Sequence, residues 1–248
     1  MNWNILAGGG NRVPSIVSHI QSHSPELCVL TEYRRGDSGD ALKTALLQHG
    51  YDHVVEPASE RSKNSVAIFS KAILAPPSNS VNIPESLWPY LVVTELHGTC
   101  VIGVFCALPK VGIDLVRFLR DLSLQQPERP FIVVGDFFFG PRLSDSNYGK
   151  PLRAISDNGW VSAWDAFHPG EEWWSCQTSR GKSRPDDFYL YGPVIPKIRQ
   201  LDTCPNPPLE RLSDHAPMIA HFDWGPLNDI HDRQALPEAE SPVFGPMV

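Results

Sequence analysis

The sequence predicts a layered α/β protein built on mixed sheets, and three patterns carry that reading. Short apolar runs rich in Val, Ile and Phe recur at strand length, and stretches with apolar residues every three to four positions lie between some of them. Several consecutive runs are separated only by turn-rich pieces. The first two patterns interleave strands with helices; the third introduces antiparallel neighbours that a strict βαβ repeat lacks.

In chain order, Trp3 to Leu6 reads as the first strand, followed by Ala7-Gly8-Gly9-Gly10-Asn11, a flexible turn that matches neither a GxGxxG fingerprint nor a P-loop. Val13, Ile16, Val17 and Ile20 then share one face of a helix. Leu27 to Leu30 is a second strand, and Ala41, Leu42, Ala45 and Leu46 mark a second helix. Val66 to Phe69, Leu91 to Leu96 and Val101 to Leu108 are strands broken by Ala75-Pro76-Pro77-Ser78-Asn79 and His97-Gly98. Leu115, Val116, Leu119 and Leu122 form a third helical face, and Phe131 to Val134, Phe188 to Leu190 and Pro217 to Phe222 complete the strands. From Gly225 to Val248 the chain carries Pro226, Pro237, Pro242 and Pro246 and no periodic apolar face. One domain is therefore expected over 1–224, with 225–248 an extended or disordered tail.

With 248 residues, 42% hydrophobic and 20% charged, the chain is neither disordered throughout nor collagen-like nor a coiled coil. Its 21 Lys and Arg against 28 Asp and Glu leave a net charge of −7, so no global positive field draws it to nucleic acid or anionic lipid. A polyanion would have to be met by a local patch or a metal. Cys28, Cys100, Cys106, Cys176 and Cys204 are odd in number with no CxxC pair, which fits reduced thiols. The start of the chain has no basic region, and no apolar run reaches the length of a membrane span. A cytoplasmic protein with no membrane partner is expected, and a monomer is the expected state.

Polar residues stand at the ends of these strands, where α/β proteins place their sites. They are Asn4, Glu32, Asp136, the run Ser213-Asp214-His215-Ala216-Pro217, and Arg184-Pro185-Asp186-Asp187. Singly, each carboxylate reads as a helix cap or a solvated turn. Together, hard oxygen ligands with one histidine and no thiolate suit Mg²⁺ or Mn²⁺ better than zinc, and a divalent ion beside a histidine is equipment for phosphoester hydrolysis.

Trp3-Asn4-Ile5, Thr31-Glu32-Tyr33, Gly135-Asp136-Phe137, Arg184-Pro185-Asp186 and Ser213-Asp214-His215-Ala216-Pro217, in that order, resemble the endonuclease/exonuclease/phosphatase superfamily, including its abasic-site endonucleases and deoxyribonuclease I-like members. The resemblance implies a four-layer α/β sandwich, two mixed sheets face to face with helices outside. By the same resemblance Glu32 holds the metal with Asn4 beside it as ligand or support, and Asp214 is a further metal-side carboxylate. His215, oriented by Asp186, stabilises or protonates at the scissile phosphate, and Asp136 positions or deprotonates the attacking water.

The pattern also departs from that family. Phe138 stands where the family usually has Asn, and Ala107 falls where many members have His or Tyr. Substitute donors are sought at Arg34, Asn64, Ser144 or Asn147, and Trp174 or Trp173 is a candidate stacking wall. Arg34, Arg35, Arg180, Lys182 and Arg184 are candidates for a local basic rim. The sequence thus predicts a Mg²⁺- or Mn²⁺-dependent phosphodiesterase for nucleic acid or nucleotides. The alternatives are a small-molecule phosphatase and a catalytically impaired phosphate- or partner-binding member.

Overall fold

The computed structural model describes residues 1–57, 59–77, 81–106, 108–138, 154–171, 173–179, 181–204 and 212–225. Its elements are β1 (Asn2–Asn4), α1 (Val13–His23), β2 (Leu27–Tyr33), α2 (Asp37–Leu47), β3 (His53–Val55), β4 (Ser65–Ser70), β5 (Leu91–Leu96), β6 (Thr99–Phe105) and α3 (Pro109–Gln125). Then come β7 (Phe131–Asp136), β8 (Val161–Ser162), α4 (Ala163–Phe167), β9 (Cys176–Thr178), β10 (Gly181–Ser183), β11 (Asp186–Tyr191), β12 (Ile198–Thr203) and β13 (Met218–Phe222). A six-stranded sheet runs β12-β13-β1-β2-β4-β3 and a five-stranded sheet runs β5-β6-β7-β11-β8, with β9 and β10 a separate hairpin. Both large sheets are mixed, β1–β2 and β6–β7 being parallel and their other pairs antiparallel.

Alternation along the strands sorts side chains into layers. Val29, Val66 and Ile68 of the first sheet meet Val101, Phe105, Ile132, Val134, Phe188 and Leu190 of the second in one apolar cluster between the sheets. The opposite faces carry Trp3, Cys28, Leu30, Ala67 and Phe69 against Val13, Ile16, Val17, Ile20, Leu42 and Leu46 of α1 and α2. Cys100, Ile102, Val104, Phe131 and Val133 pack against Val111, Leu115, Phe118, Leu119 and Leu122 of α3. The result is the four-layer α/β sandwich. The sheets approach closely at Gly103, where a Cβ would lie 3.1 Å from the side chains of both Val29 and Val66.

The strands found depart from the apolar runs in readable ways. Leu6 is not in β1; it turns into the left-handed region with φ +52°. The run ending at Leu108 stops at Phe105, because Pro109 starts α3. β12 has no clean apolar alternation, since a register shift between Ile198 and Gln200 puts its buried residues, Ile198 and Leu201, three apart. All five cysteines are free and buried. Residues 226–248, nearly all of the expected tail, and Ala107, Ser144, Asn147 and Arg180 lie outside the described residues.

Candidate active site

The apolar layer between the sheets gives way to polar residues at one rim. On the face that carries Ile132 and Val134, β7 ends in Asp136; on the face that carries Leu190 and Phe188, β11 begins with Asp186. The two aspartates are direct cross-strand partners and both are buried. Like charges placed so repel, and each therefore depends on donors aimed at it. Asp136 accepts from Asn4 Nδ2 at 2.9 Å and from the Phe138 backbone N–H at 2.8 Å. Asp186 accepts from His215 Nδ1 at 2.7 Å and from Asn2 Nδ2 at 3.4 Å. Gly135 makes this register possible: at φ +153°, a Cβ there would stand 1.9 Å from the Val104 carbonyl oxygen of the neighbouring strand.

Glu32 reaches the rim from the other sheet. The β2–β4 register shifts between Thr31 and Tyr33, leaving Glu32 as the extra residue of a bulge at φ +54°. A bulge re-aims a side chain, and here the backbone strain serves that purpose. Its carboxylate accepts from Asn4 Nδ2 at 3.3 Å, the Ala7 N–H at 2.7 Å and Asn64 Nδ2 at 2.9 Å. Arg34 Nε in turn donates to Asn64 Oδ1 at 2.5 Å. Asn4 is fully buried and its Oδ1 accepts from the Leu6 N–H at 2.9 Å, so its amide ties Glu32 of one sheet to Asp136 of the other.

Electrostatics follow from this packing. Burial disfavours the charged form of His215, but the adjoining Asp186 carboxylate, with Cys176 and Asp136, outweighs it and holds the imidazole well above its ordinary pKa. Burial, reinforced by Asp186, pushes the Asp136 carboxyl up, against the opposing pull of His215, the Phe138 N–H and Asn4. The rim thus combines a fixed imidazolium with a carboxylate that holds its proton more readily than usual.

A cavity of about 1080 Å³ opens here, lined by Glu32, Asn64, Asp136, Phe138, Asp214 and His215 together with Tyr90, Phe105, Lys63, Lys182 and Cys176. Asp214 Oδ1 is buried with no hydrogen-bond donor among the described residues. Cys176, Asp214 and His215 offer ligand atoms within 4.8 Å of one another, as do Asp136, Asp186 and His215. These clusters are candidate metal-binding groups.

Of the sequence-derived candidates, Asn4, Glu32, Asn64, Asp136, Phe138, Asp186, Asp214 and His215 converge on this rim, with Arg34 behind Asn64. Arg184 and Trp174 do not line the cavity. The Arg184 guanidinium donates to the exposed Asp165 at 2.8 Å and lies 5.5 Å from the Trp164 ring centroid, a structural contact away from the cavity. Trp173 stacks on the same Trp164 ring. Arg35 donates to the Ser59 carbonyl. Among the described residues, the lysines and arginines lining the cavity are Lys182, a sequence candidate, and Lys63. Sequence reasoning also missed Cys176 and Asn2. An isolated bridge from Cys176 to His215 brings the thiol in, and no local pattern announces it. Asn2 was legible in principle, since it shares the face of Asn4 two residues on.

Two mixed sheets face to face, with carboxylates and a histidine gathered at one rim, define the nuclease and phosphoesterase class of α/β sandwich. The chain belongs to the Endonuclease/Exonuclease/phosphatase family, whose profile matches residues 1–215. Among solved structures, an AP endonuclease from Archaeoglobus fulgidus aligns with TM-score 0.75 at 17% identity, covering 90% of this chain and 98% of the other. The 3'-5' exonuclease NExo from Neisseria meningitidis gives TM-score 0.75 at 20% identity with the same coverage. A structure described as the 3' phosphatase NExo from Neisseria bound to product DNA hairpin gives 0.73 at 20% identity, again covering 90% and 98%. No match is found among curated protein sequences. No helix among the described residues is long and apolar enough to cross a membrane.

Proposed function

We propose that the chain is a phosphodiesterase dependent on Mg²⁺ or Mn²⁺ that hydrolyses nucleic-acid or nucleotide substrates. The observation that carries the reading is His215 locked on Asp186 at 2.7 Å beside Asp136, at a rim where Glu32 and Asp214 line the same cavity. Glu32 and the orphaned Asp214 oxygen fit a hard divalent cation, and Asn4 braces Glu32 beside it. A cation held there supplies charge neutralisation at a phosphoryl oxygen.

The remaining chemistry belongs to the chain. Asp136, its pKa raised by burial, orients the attacking water and accepts its proton. His215, kept protonated by Asp186, donates to the oxygen on which charge develops. Lys63 and Lys182 supply the positive potential that the net charge of −7 denies, and Tyr90, Phe105 and Phe138 present apolar and aromatic surface to a base or sugar. The DNA-bound relative, described as a 3' phosphatase, supports nucleic acid as the substrate class.

The test is hydrolysis of single-stranded, duplex, nicked, abasic and 3'-phosphorylated DNA, RNA and bis-p-nitrophenyl phosphate, with Mg²⁺, Mn²⁺ or Zn²⁺. His215→Ala and Glu32→Gln are assayed alongside. Metal-dependent cleavage that disappears in both variants is the expected result. Cleavage surviving both variants overturns the site. Folded protein that binds the metal yet turns over none of the panel favours the impaired-member reading, to which the exposed Phe138 ring lends its weight.

A further inference from the structure

The third group of candidate ligands lies outside that cavity. His19 and His23 stand one turn apart on α1, a spacing that puts both imidazoles on one helical face. Cys204 follows the last residue of β12 and its sulfur sits between them: His19 Nε2 lies 3.8 Å and His23 Nε2 3.6 Å from Cys204 Sγ. All three ligand atoms fall within 4.8 Å of one another. A tetrahedral Zn²⁺ with bonds of about 2.3 Å to sulfur and about 2.05 Å to nitrogen sets a sulfur–nitrogen separation of about 3.6 Å. Both observed distances lie within about 0.2 Å of that separation. Two nitrogens and a sulfur are a borderline-soft donor set, unlike the carboxylates of the phosphoester rim.

We propose that His19, His23 and Cys204 supply three ligands of a Zn²⁺ site separate from the active site. Its placement gives it a structural role. The His19 ring packs at 5.0 Å from Trp3, whose indole N–H donates to the His215 carbonyl at 2.9 Å. Cys204 lies on the connection from β12 to β13 that also carries Asp214 and His215. A cation here pins α1 to the start of that connection and braces the His215 backbone from the helical side of the sheet.

Titration of the reduced, chelator-treated full chain with Co²⁺, a spectroscopic substitute for Zn²⁺, tests this independently of any hydrolysis. One equivalent should produce visible d–d bands of a four-coordinate ion and a near-ultraviolet sulfur-to-cobalt band, and Zn²⁺ should displace both. The bands should be lost in Cys204→Ser and the affinity weakened at least ~100-fold in His23→Gln. They should persist in Cys176→Ser and Glu32→Gln, which alter the other cluster and the phosphoester rim. His23 is exposed, so its variant keeps the test decisive should Cys204→Ser fail to fold. Absence of the sulfur band in the wild type, its survival without the Cys204 thiol, or its loss in Cys176→Ser overturns the proposal.

Discussion

Asn4→Ala removes the side chain that ties Glu32 of one sheet to Asp136 of the other, and its cost can be worked from three hydrogen bonds. The bond to Asp136 is buried and charge-assisted, and Asp136 faces Asp186 across the strand pair, so its loss costs about 2–3 kcal/mol. The bond to Glu32 is replaceable, since that carboxylate is only partly buried and keeps Ala7 and Asn64, so about 0.5 kcal/mol is lost. The Leu6 N–H, left without its acceptor, adds about 1 kcal/mol. The expected destabilisation is therefore about 4 kcal/mol in metal-free protein at pH 8. It should shrink on acidification, and the sign follows from linkage. Asn4 favours the ionised form of Asp136, so deleting it raises a folded-state pKa that already stands above the unfolded value. The variant's native state then holds a proton that its unfolded state releases, and its stability falls as pH rises through that window. Urea unfolding followed by fluorescence of the seven tryptophans, at about pH 5 and pH 8 with chelator present, measures both effects. A loss below about 1 kcal/mol at pH 8, or a loss equal at both pH values, refutes the view of Asn4 as the tie between the carboxylates.

Asp186→Asn removes the charge that holds His215 protonated against burial, so the limb of the pH–rate profile that reports this histidine should move to lower pH, with activity at neutral pH down ~10²- to 10⁴-fold. Asp187, buried beside Ser162, has its pKa pushed up from 3.8 to about 6, chiefly by burial. The native state binds a proton there that the unfolded chain releases, so roughly 3 kcal/mol of stability is lost as pH rises from about 4 to about 6. Asp187→Asn should lack this slope, and the variant-minus-wild-type difference in urea stability between pH 4 and pH 7 reads it. Arg184→Ala should leave kcat and KM unchanged while lowering stability by about 1–2 kcal/mol, because its partners are Asp165 and the Trp164 ring; a large rise in KM would return Arg184 to the substrate rim.

How much of this was legible in the sequence depended on how local each constraint is. Apolar runs located β2, β4, β5, β7, β11 and β13, and in β2, β4, β7 and β11 the run is continuous because strands buried on both faces need no alternation, as Cys28 and Val29 show by packing in different layers. The three-residue strands β3, β9 and β10 gave no such signal, being stabilised by pairing more than by burial. At the site, Asp136 and Asp186 could be placed at strand ends, but their direct opposition is a product of register between β7 and β11, which no short window encodes. Arg184 shows the reverse failure. Its place two residues before Asp186 suggested the rim, whereas its side chain folds back onto α4 and Trp164, contacts set by tertiary packing alone.

Phe138 joins the backbone and the chemistry of the rim. It is 53% exposed and holds φ +59°, a conformation that costs most side chains about 1–2 kcal/mol and that Asn tolerates. The resemblance places Asn at this position, so the turn itself explains part of that preference before any role toward phosphate is invoked. Phe138 keeps the turn's structural duty, since its N–H still donates to Asp136 at 2.8 Å. What the ring removes is an amide donor at the cavity, an absence of the kind that costs ~10²- to 10³-fold in rate where such a donor meets developing charge. What it adds is an aromatic face beside Tyr90 and Phe105, and stacking of a base is worth about 1–3 kcal/mol. On the proposed reading the exchange moves interaction energy from the transition state to the bound substrate. It lowers KM and kcat together, so the substrate that reveals the activity should be one with an unstacked base to offer the cavity.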